Sequence, residues 1–259
     1  MIFETHAHYD DEAFQEDRHQ LLASMADQGV GTIVNISSDM DSCKTSLALA
    51  KRYDFVYAAI GVHPSEVQDL NQFDIDWLEE KAHNPKVVAI GEIGLDYHWS
   101  DPAPIIQKRW FIRQIDLAKD VKLPIVVHSR DAAEDTMDLI RKTGAYDCGG
   151  VIHCYSYSAE MAKEFVEMGF YIGIGGVLTF KNAKKLVKTA ETIPLEKIVL
   201  ETDSPYMAPE PNRGKRNDSS NLIYVADKLA QIKGIDRDQV IRVTRENACR
   251  MYGLPLETK

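Results

Sequence analysis

Short, nearly uninterrupted apolar runs alternate along this chain with longer stretches whose apolar residues recur at helical spacing. Ile2 to Thr5 is the first run. Asp11 to Gln28 then shows a helical pattern, with Phe14, Leu21, Leu22 and Met25 on one face and Gly29 as its stop. The same alternation continues through strand Thr32–Ile36, helix Asp41–Tyr53, strand Val56–Ile60, helix Asp74–Ala82 and strand Val87–Ile90. An amphipathic stretch from Ile105 to Lys119 leads to strand Pro124–His128 and helix Ala132–Thr143. Strand Gly150–His153, helix Ala159–Met168, strand Phe170–Ile174, helix Lys181–Thr189 and strand Ile198–Glu201 follow. Two more helical stretches, Leu222–Lys233 and Arg237–Tyr252, end the pattern.

Apolar runs of this kind mark parallel strands buried on both faces. Eight strand–helix repeats over 259 residues predict an α/β protein, a closed (β/α)8 TIM barrel with extra C-terminal helices. An open doubly wound sheet is the competing architecture. Without a linker, low-complexity segment or composition shift, residues 1–259 read as one domain.

Composition narrows the setting. Hydrophobic residues make up 44% and charged residues 27%, as in an ordinary globular protein. No run approaches the ~20 apolar residues of a membrane helix. The first strand begins at once, leaving no room for a targeting peptide, so a cytoplasmic protein with no membrane association is expected. The four cysteines form no Cys-x-x-Cys pair, which argues against a zinc ribbon or a disulfide framework. Cys43 and Cys249 are expected to be packing residues. A net charge of −10 argues against a broad, charge-driven nucleic-acid coat, though not against local phosphate neutralisation.

The polar residues change the picture most. Barrel active sites lie at the C-terminal ends of the strands. His6 and His8 follow strand one, His63 strand three, His128 strand five and His153 strand six, five of the eight histidines. Residues two apart on an extended chain share a direction, so His6 and His8 are expected to converge. Glu92 follows strand four; Glu201 and Asp203 follow strand eight. Each is expensive to bury alone, and a shared metal centre satisfies them together. The number of donors favours two divalent ions. Imidazole with carboxylate suits Zn, Mn, Fe or Co, and Mg where carboxylates and water dominate. A carboxylate such as Glu92 can bridge two ions ~3.5–4 Å apart.

Six motifs occur in order: Thr5-His6-Ala7-His8, Gly61-Val62-His63-Pro64, Gly91-Glu92-Ile93-Gly94-Leu95-Asp96-Tyr97, His128-Ser129-Arg130, His153-Cys154 and Glu201-Thr202-Asp203-Ser204-Pro205. This series closely resembles the TatD family of metal-dependent, deoxyribonuclease-type hydrolases in the amidohydrolase superfamily. The resemblance implies one ion held by His6, His8, Glu92 and Asp203, and a second held by Glu92, His128 and His153. It also implies hydrolysis of phosphodiesters, typically trimming DNA from the 3′ end. Three positions depart from the family pattern: Glu4 stands where Asp is usual, Tyr157 where Gly is usual, and Arg216-Asn217-Asp218-Ser219 replaces an Arg-Asn-Glu-Pro motif. Tyr157 is expected to narrow or reshape the pocket rim.

Roles follow from chemistry. Asp203, as ligand and general base, would take the proton of an attacking water beside a metal; as an alternative it would cap a helix ahead of Pro205. Glu201 is expected to orient a metal ligand or to sit in a buried ion pair. His63 would contact a phosphate or protonate the leaving oxygen, or be structural. Arg130 offers a bidentate phosphate clamp, with a salt bridge to Asp131 or Glu134 as the alternative. Arg213, Lys215 and Arg216, after strand eight, stand where barrels often hold phosphate, or form a solvated charge run. Gly173-Ile174-Gly175-Gly176 lacks a nucleotide-binding signature and reads as a strand end passing close to the site. Tyr9, Tyr97, Tyr155, Tyr157 and Phe180 would stack bases of a single strand or simply pack.

These readings predict a two-metal phosphodiesterase acting on 3′ ends of DNA, with Asp203, Glu92 and His63 as catalytic residues, Mg, Mn, Co or Zn as the ions, and single-stranded ends as the partner. A small-molecule amidohydrolase, lactonase or phosphotriesterase is the alternative. Many such enzymes bridge their metals with a carboxylated lysine on strand four, where this chain has Glu92 and its nearest lysine, Lys86, lies at the opposite strand end. A non-catalytic metal-binding barrel is the third reading.

Overall fold

A computed structural model describes residues 1–256. Eight strands, β1 (Ile2–Ala7), β2 (Val30–Ile36), β3 (Val56–Ile60), β4 (Val87–Asp96), β5 (Ile125–Arg130), β6 (Gly150–Ile152), β7 (Tyr171–Ile174) and β8 (Ile198–Leu200), form one sheet in sequence order. Every neighbouring pair is parallel. The helices between them are α1 (Arg18–Ser24), α2 (Met40–Arg52), α3 (Gln72–Ala82), α4 (Pro104–Val121), α5 (Ala133–Thr143), α6 (Ala159–Glu167) and α7 (Lys184–Thr192). α8 (Leu222–Lys233) and α9 (Arg237–Tyr252) follow β8. The barrel is nearly closed, as the alternating pattern predicts for a (β/α)8 fold.

The seam between β1 and β8 closes just beyond the strand ends. Ala7 bridges Ser204, the Asp203 N–H donates to the His6 carbonyl at 2.9 Å, and the His8 N–H donates to the Ser204 carbonyl at 2.8 Å. Glu4, fully buried, fastens the seam from within. Its carboxylate accepts from the His6 N–H (3.1 Å), the Thr202 N–H (2.9 Å) and the Thr202 hydroxyl (2.6 Å). The longer acid at this position is therefore a clamp between the first and last strands.

Two apolar cores result. The larger lies between the strands and the surrounding helices. The smaller fills the barrel, where Phe3, Val34, Ala59, Val126, Val151 and Val199 meet Ala248, Cys249, Met251 and Tyr252 of α9. The Tyr252 ring stacks on Phe3 and its hydroxyl donates to the Thr5 carbonyl at 2.9 Å, so the end of α9 shuts the barrel where the strands begin. Cys43 and Cys249 are both buried and in no disulfide, as expected of packing residues. Among the described residues, no helix is long and apolar enough to cross a membrane.

Some elements differ from the sequence expectation. The stretch 11–28 is not one helix: a 3-10 turn, Glu12–Phe14, precedes α1. Asp11 spends its carboxylate on the Ala13 N–H, and the Arg18 guanidinium turns back onto the carbonyls of Asp10 and Asp11, so polar groups that would extend a helix are used locally. α7 begins at Lys184 rather than Lys181, because residues 180–183 form a turn closed by the Ala183 N–H on the Phe180 carbonyl. β4 runs to Asp96, well past Ile90, and pairs Gly94 with His128. A Cβ at Gly94, whose φ is +147°, would lie 1.9 Å from the His128 carbonyl oxygen, so only glycine permits that approach.

Candidate metal centre

Side chains alternate along each strand, and the apolar members of the inward face lead to the polar ones: Val126 to His128, Val151 to His153, Val199 to Glu201. At this end the barrel opens into a cleft of about 1060 Å³. Glu92 lies at its floor, its side chain only 4% exposed. One carboxylate oxygen, Oε2, stands 3.3 Å from His6 Nε2 and 3.8 Å from His8 Nε2. The other, Oε1, stands 2.7 Å from His128 Nδ1, 2.6 Å from His153 Nε2 and 3.8 Å from His63 Nε2. Asp203 completes the first group, with Oδ1 3.2 Å from His8 Nε2 and 3.7 Å from His6 Nε2. One carboxylate thus faces two imidazole pairs, one with each oxygen.

The donor chemistry fits cations. His6 Nε2 and His8 Nε2 point at one another from 3.1 Å, and His128 Nδ1 and His153 Nε2 do so from 3.2 Å. Lone pairs aimed together so closely repel unless a proton or a cation lies between them. His8 Nδ1 donates to the Ile36 carbonyl at 2.9 Å; a carbonyl can only accept, so neutral His8 presents Nε2 as its bare nitrogen. Asp96 holds His128 Nε2 at 3.1 Å and leaves Nδ1 for the floor. Carboxylates and carbonyls behind histidines are the usual means of aiming metal ligands. The set His6, His8 and Asp203 brings its donor atoms within 4.8 Å of one another, as a bound ion requires, and around Glu92 Oε1 the bare nitrogens of His128 and His153 stand 3.2 Å apart.

Electrostatics separate these groups. Burial works against charging His8, yet the hydrogen bond and charge of Asp203 push it up to about 10. His128 is likewise raised to about 9 against burial, by Asp96 and Glu92. Burial, helped by His153, pushes His6 down to about 4, and burial beside His128 pushes His63 down to about 3. Burial opposes ionisation of Glu92 and Asp203 too, but the surrounding imidazoles hold Glu92 well below the usual range and His8 holds Asp203 below it. Burial raises Glu201 to about 8. Asp203 caps no helix; its φ of 56° lies in the left-handed region, and its carbonyl accepts from the Tyr206 N–H.

The structure divides the remaining expectations. Arg130 lines the cleft and, among the described residues, makes no ion pair; Asp131 pairs with His98 instead, at 3.4 Å. His63 Nδ1 accepts from the Ser65 N–H at 3.1 Å, so the neutral ring turns an Nε2–H toward the floor. That makes it a hydrogen-bond donor rather than the proton source expected for a leaving oxygen. The loop after β8 is corrected. Arg213, Lys215 and Arg216 do not line the cleft: Arg213 covers the Phe180 ring at 4.2 Å, and Arg216 grips Asp17 at 2.6 Å over the Phe14 ring. Tyr157 does not itself line the cleft; its hydroxyl braces the loop after β5 through Ser129, which does, and the Ala132 N–H. Tyr9 is buried against Ser219, Tyr97 bonds Asp135, and the Tyr155 hydroxyl donates to the Ser158 carbonyl, so these three pack. Of the five, Tyr155 and Phe180 line the cleft, Tyr155 almost wholly buried and Phe180 with its ring face committed to Arg213.

Residues beyond the sequence reading also line the cleft. Lys184 and Lys185 stand on the wall from the β7–α7 connection, and Trp99 and Tyr206 project from the rim. The two lysines open a helix and carry no motif, so only their place after β7 could have suggested them.

A parallel eight-stranded barrel with imidazoles and carboxylates gathered at its C-terminal mouth is the architecture of a metal-dependent hydrolase. The family described as "TatD related DNase" matches residues 3–253, and the chain belongs to it. It is 42% identical to the uncharacterized metal-dependent hydrolase YabD of Bacillus subtilis, over 97% of this chain and 99% of that one. Its identity to YcfH of Escherichia coli K12, which carries the same description, is 34%, over 97% and 96% of the two chains. The crystal structure of YjjV, a TatD homologue from Escherichia coli K12, superposes with a TM-score of 0.92 at 30% identity, covering 98% of both chains.

Proposed function

We propose that the protein is a phosphodiesterase that uses two divalent ions to trim single-stranded DNA from its 3′ end. One observation carries the reading: Glu92 turns one oxygen to each of two histidine pairs on the floor of a cleft whose β5–β7 wall bears Arg130, Lys184 and Lys185. His6, His8, Asp203 and Glu92 Oε2 would hold one ion; His128, His153 and Glu92 Oε1 would hold the other. Such ions supply Lewis acidity toward phosphoryl oxygens and acidify water. Asp203, ionised and 15% exposed at the edge of this group, accepts the proton of the attacking water. The His63 Nε2–H steadies a phosphoryl oxygen, held in place by Ser65. Arg130 and the two lysines hold flanking phosphates, and Trp99 and Tyr206 offer faces for unstacked bases.

The family description names a DNase, which favours phosphodiesters over other esters and amides. Lys86 bonds the carbonyls of Asp54 and Val56 at the far end of the barrel, so it does not compete with Glu92 for the bridging place. The test uses 3′- and 5′-labelled single-stranded oligonucleotides with Mg, Mn, Co and Zn, beside a panel of amides and lactones. Loss of label from the 3′ end is expected, with activity abolished in Glu92→Ala and Asp203→Ala while the fold persists. Intact oligonucleotides alongside turnover of an amide or lactone would overturn the substrate class, and undiminished turnover in either variant would overturn the mechanism.

A further inference from the structure

Behind the metal floor lies a second convergence. Of the four histidines at the two half-sites, His8 is backed by the Ile36 carbonyl and His128 by Asp96. The other two, one in each half-site, have no such backing: His6 Nδ1 and His153 Nδ1 are buried atoms without a hydrogen-bond partner. Their rings stack face to face, 4.0 Å apart and within 11° of parallel. Glu201 is there. Its Oε2 is also buried without a partner, its Oε1 is 3.8 Å from His153 Nδ1, and donor atoms of His6, His153 and Glu201 all lie within 4.8 Å of one another.

The carboxylate is held rather than stranded. The Cys154 N–H donates to Oε1, and Cys154 itself adopts a φ of 45° beside it. Gly173 makes the space: a Cβ there would lie 2.3 Å from Glu201 Oε2 and 2.7 Å from Cδ. The glycines after β7, which match no nucleotide motif, thus include one whose missing side chain accommodates this carboxylate. A ring shift of about 1 Å brings His153 into hydrogen-bond range.

From this geometry we propose that Glu201 is a positioning residue shared by both half-sites, accepting the Nδ1–H of His6 and of His153 and so aiming one histidine at each ion. It rests on the two-ion reading above but not on the identity of the substrate. Removing a carboxylate behind a ligand histidine commonly weakens metal binding about 10–100-fold. The expected signature is that both ions weaken together, whereas Asp96, which backs His128 alone, affects one.

Titration with Co²⁺, followed by calorimetry and visible absorption, tests this. Wild-type protein is expected to show two binding events. Glu201→Gln, close in shape, should weaken both about 10–100-fold. Gly173→Ala, which keeps the carboxylate but displaces it, should do the same, and Asp96→Ala should weaken only one. Both events unchanged in Glu201→Gln, or only one weakened, would overturn the proposal. A single event in wild-type protein would overturn the two-ion reading itself, before any variant is made. Nitrogen-15 NMR of the imidazoles in Zn²⁺-loaded wild-type protein needs no variant: exchange-protected Nδ1 protons on His6 and His153 are expected, and rapidly exchanging ones would refute the shared acceptor.

Discussion

Glu4 shows how much a single residue at the seam controls. It spans Thr202 and the His6 N–H, placing the segment that carries Asp203 against the one that carries His6 and His8. In Glu4→Ala three buried donors lose their acceptor, and unmade buried hydrogen bonds cost about 1–3 kcal/mol each. A loss of at least about 2 kcal/mol is expected in urea unfolding, with Glu4→Asp between the two; a Glu4→Ala protein as stable as the wild type would refute the clamp. The histidines and acids of the metal floor were legible in the sequence because polar residues ending apolar strands stand out. The role of Glu4 was not, since its partner lies nearly the whole chain away. Asp96 was missed for a different reason. It shares a face with Glu92 and Gly94, but this shows only once β4 is known to continue past Ile90.

The elements themselves were mostly legible, because parallel strands buried on both faces leave unmistakable apolar runs. Their ends were not: tertiary hydrogen bonds, not periodicity, carried β4 to Asp96 and broke the first helical stretch. The same limit hid which cations reach the cleft. The charge run after β8 was visible, but Arg216 had a waiting partner in Asp17. The cations that reach the cleft stand on the β5–β7 wall, while Asp10, Asp11 and Glu66 line it on the β1–β3 side. An anionic strand should leave the metal floor over the basic wall. Replacing Arg130, Lys184 and Lys185 together by Ala should raise KM for oligonucleotides about tenfold or more, as expected for lost charged hydrogen bonds, with kcat little changed. The salt dependence of KM should also flatten. A lower kcat at unchanged KM would show that these residues serve the reaction rather than the hold on phosphate.

At the scale of the molecule, an excess of acid coexists with this small basic wall, which composition alone hides. Stability should also follow the buried titratable groups. His8 and His128, raised to about 10 and about 9 from 6.5, stabilise the metal-free fold fully below pH 6.5 and less as pH climbs through those values. Glu4 and Glu201, raised to about 7 and about 8 from 4.5, act in the same direction, since ionising them when buried costs stability as pH rises. His6 and His63, lowered to about 4 and about 3, act oppositely, and their stabilisation is lost as pH falls below 6.5. The chelator-stripped protein should therefore melt highest near pH 6 and progressively lower toward pH 9. Thermal denaturation across that range checks it, and a Tm that rises with pH would contradict the assignment.

The β1–β8 seam has a consequence for the order of biosynthesis. His6 and His8 leave the ribosome long before Asp203, the second carboxylate that faces them, which follows the last strand. Until then the growing chain has histidines without Asp203 and a barrel without its closing edge. Assembly of the first half-site is thereby tied to completion of the fold: a nascent chain cannot present the whole floor to a metal. Ribosome-bound chains stalled before Asp203 should retain at most one ion after desalting, and two ions on such chains would break the link between closing the barrel and completing the centre.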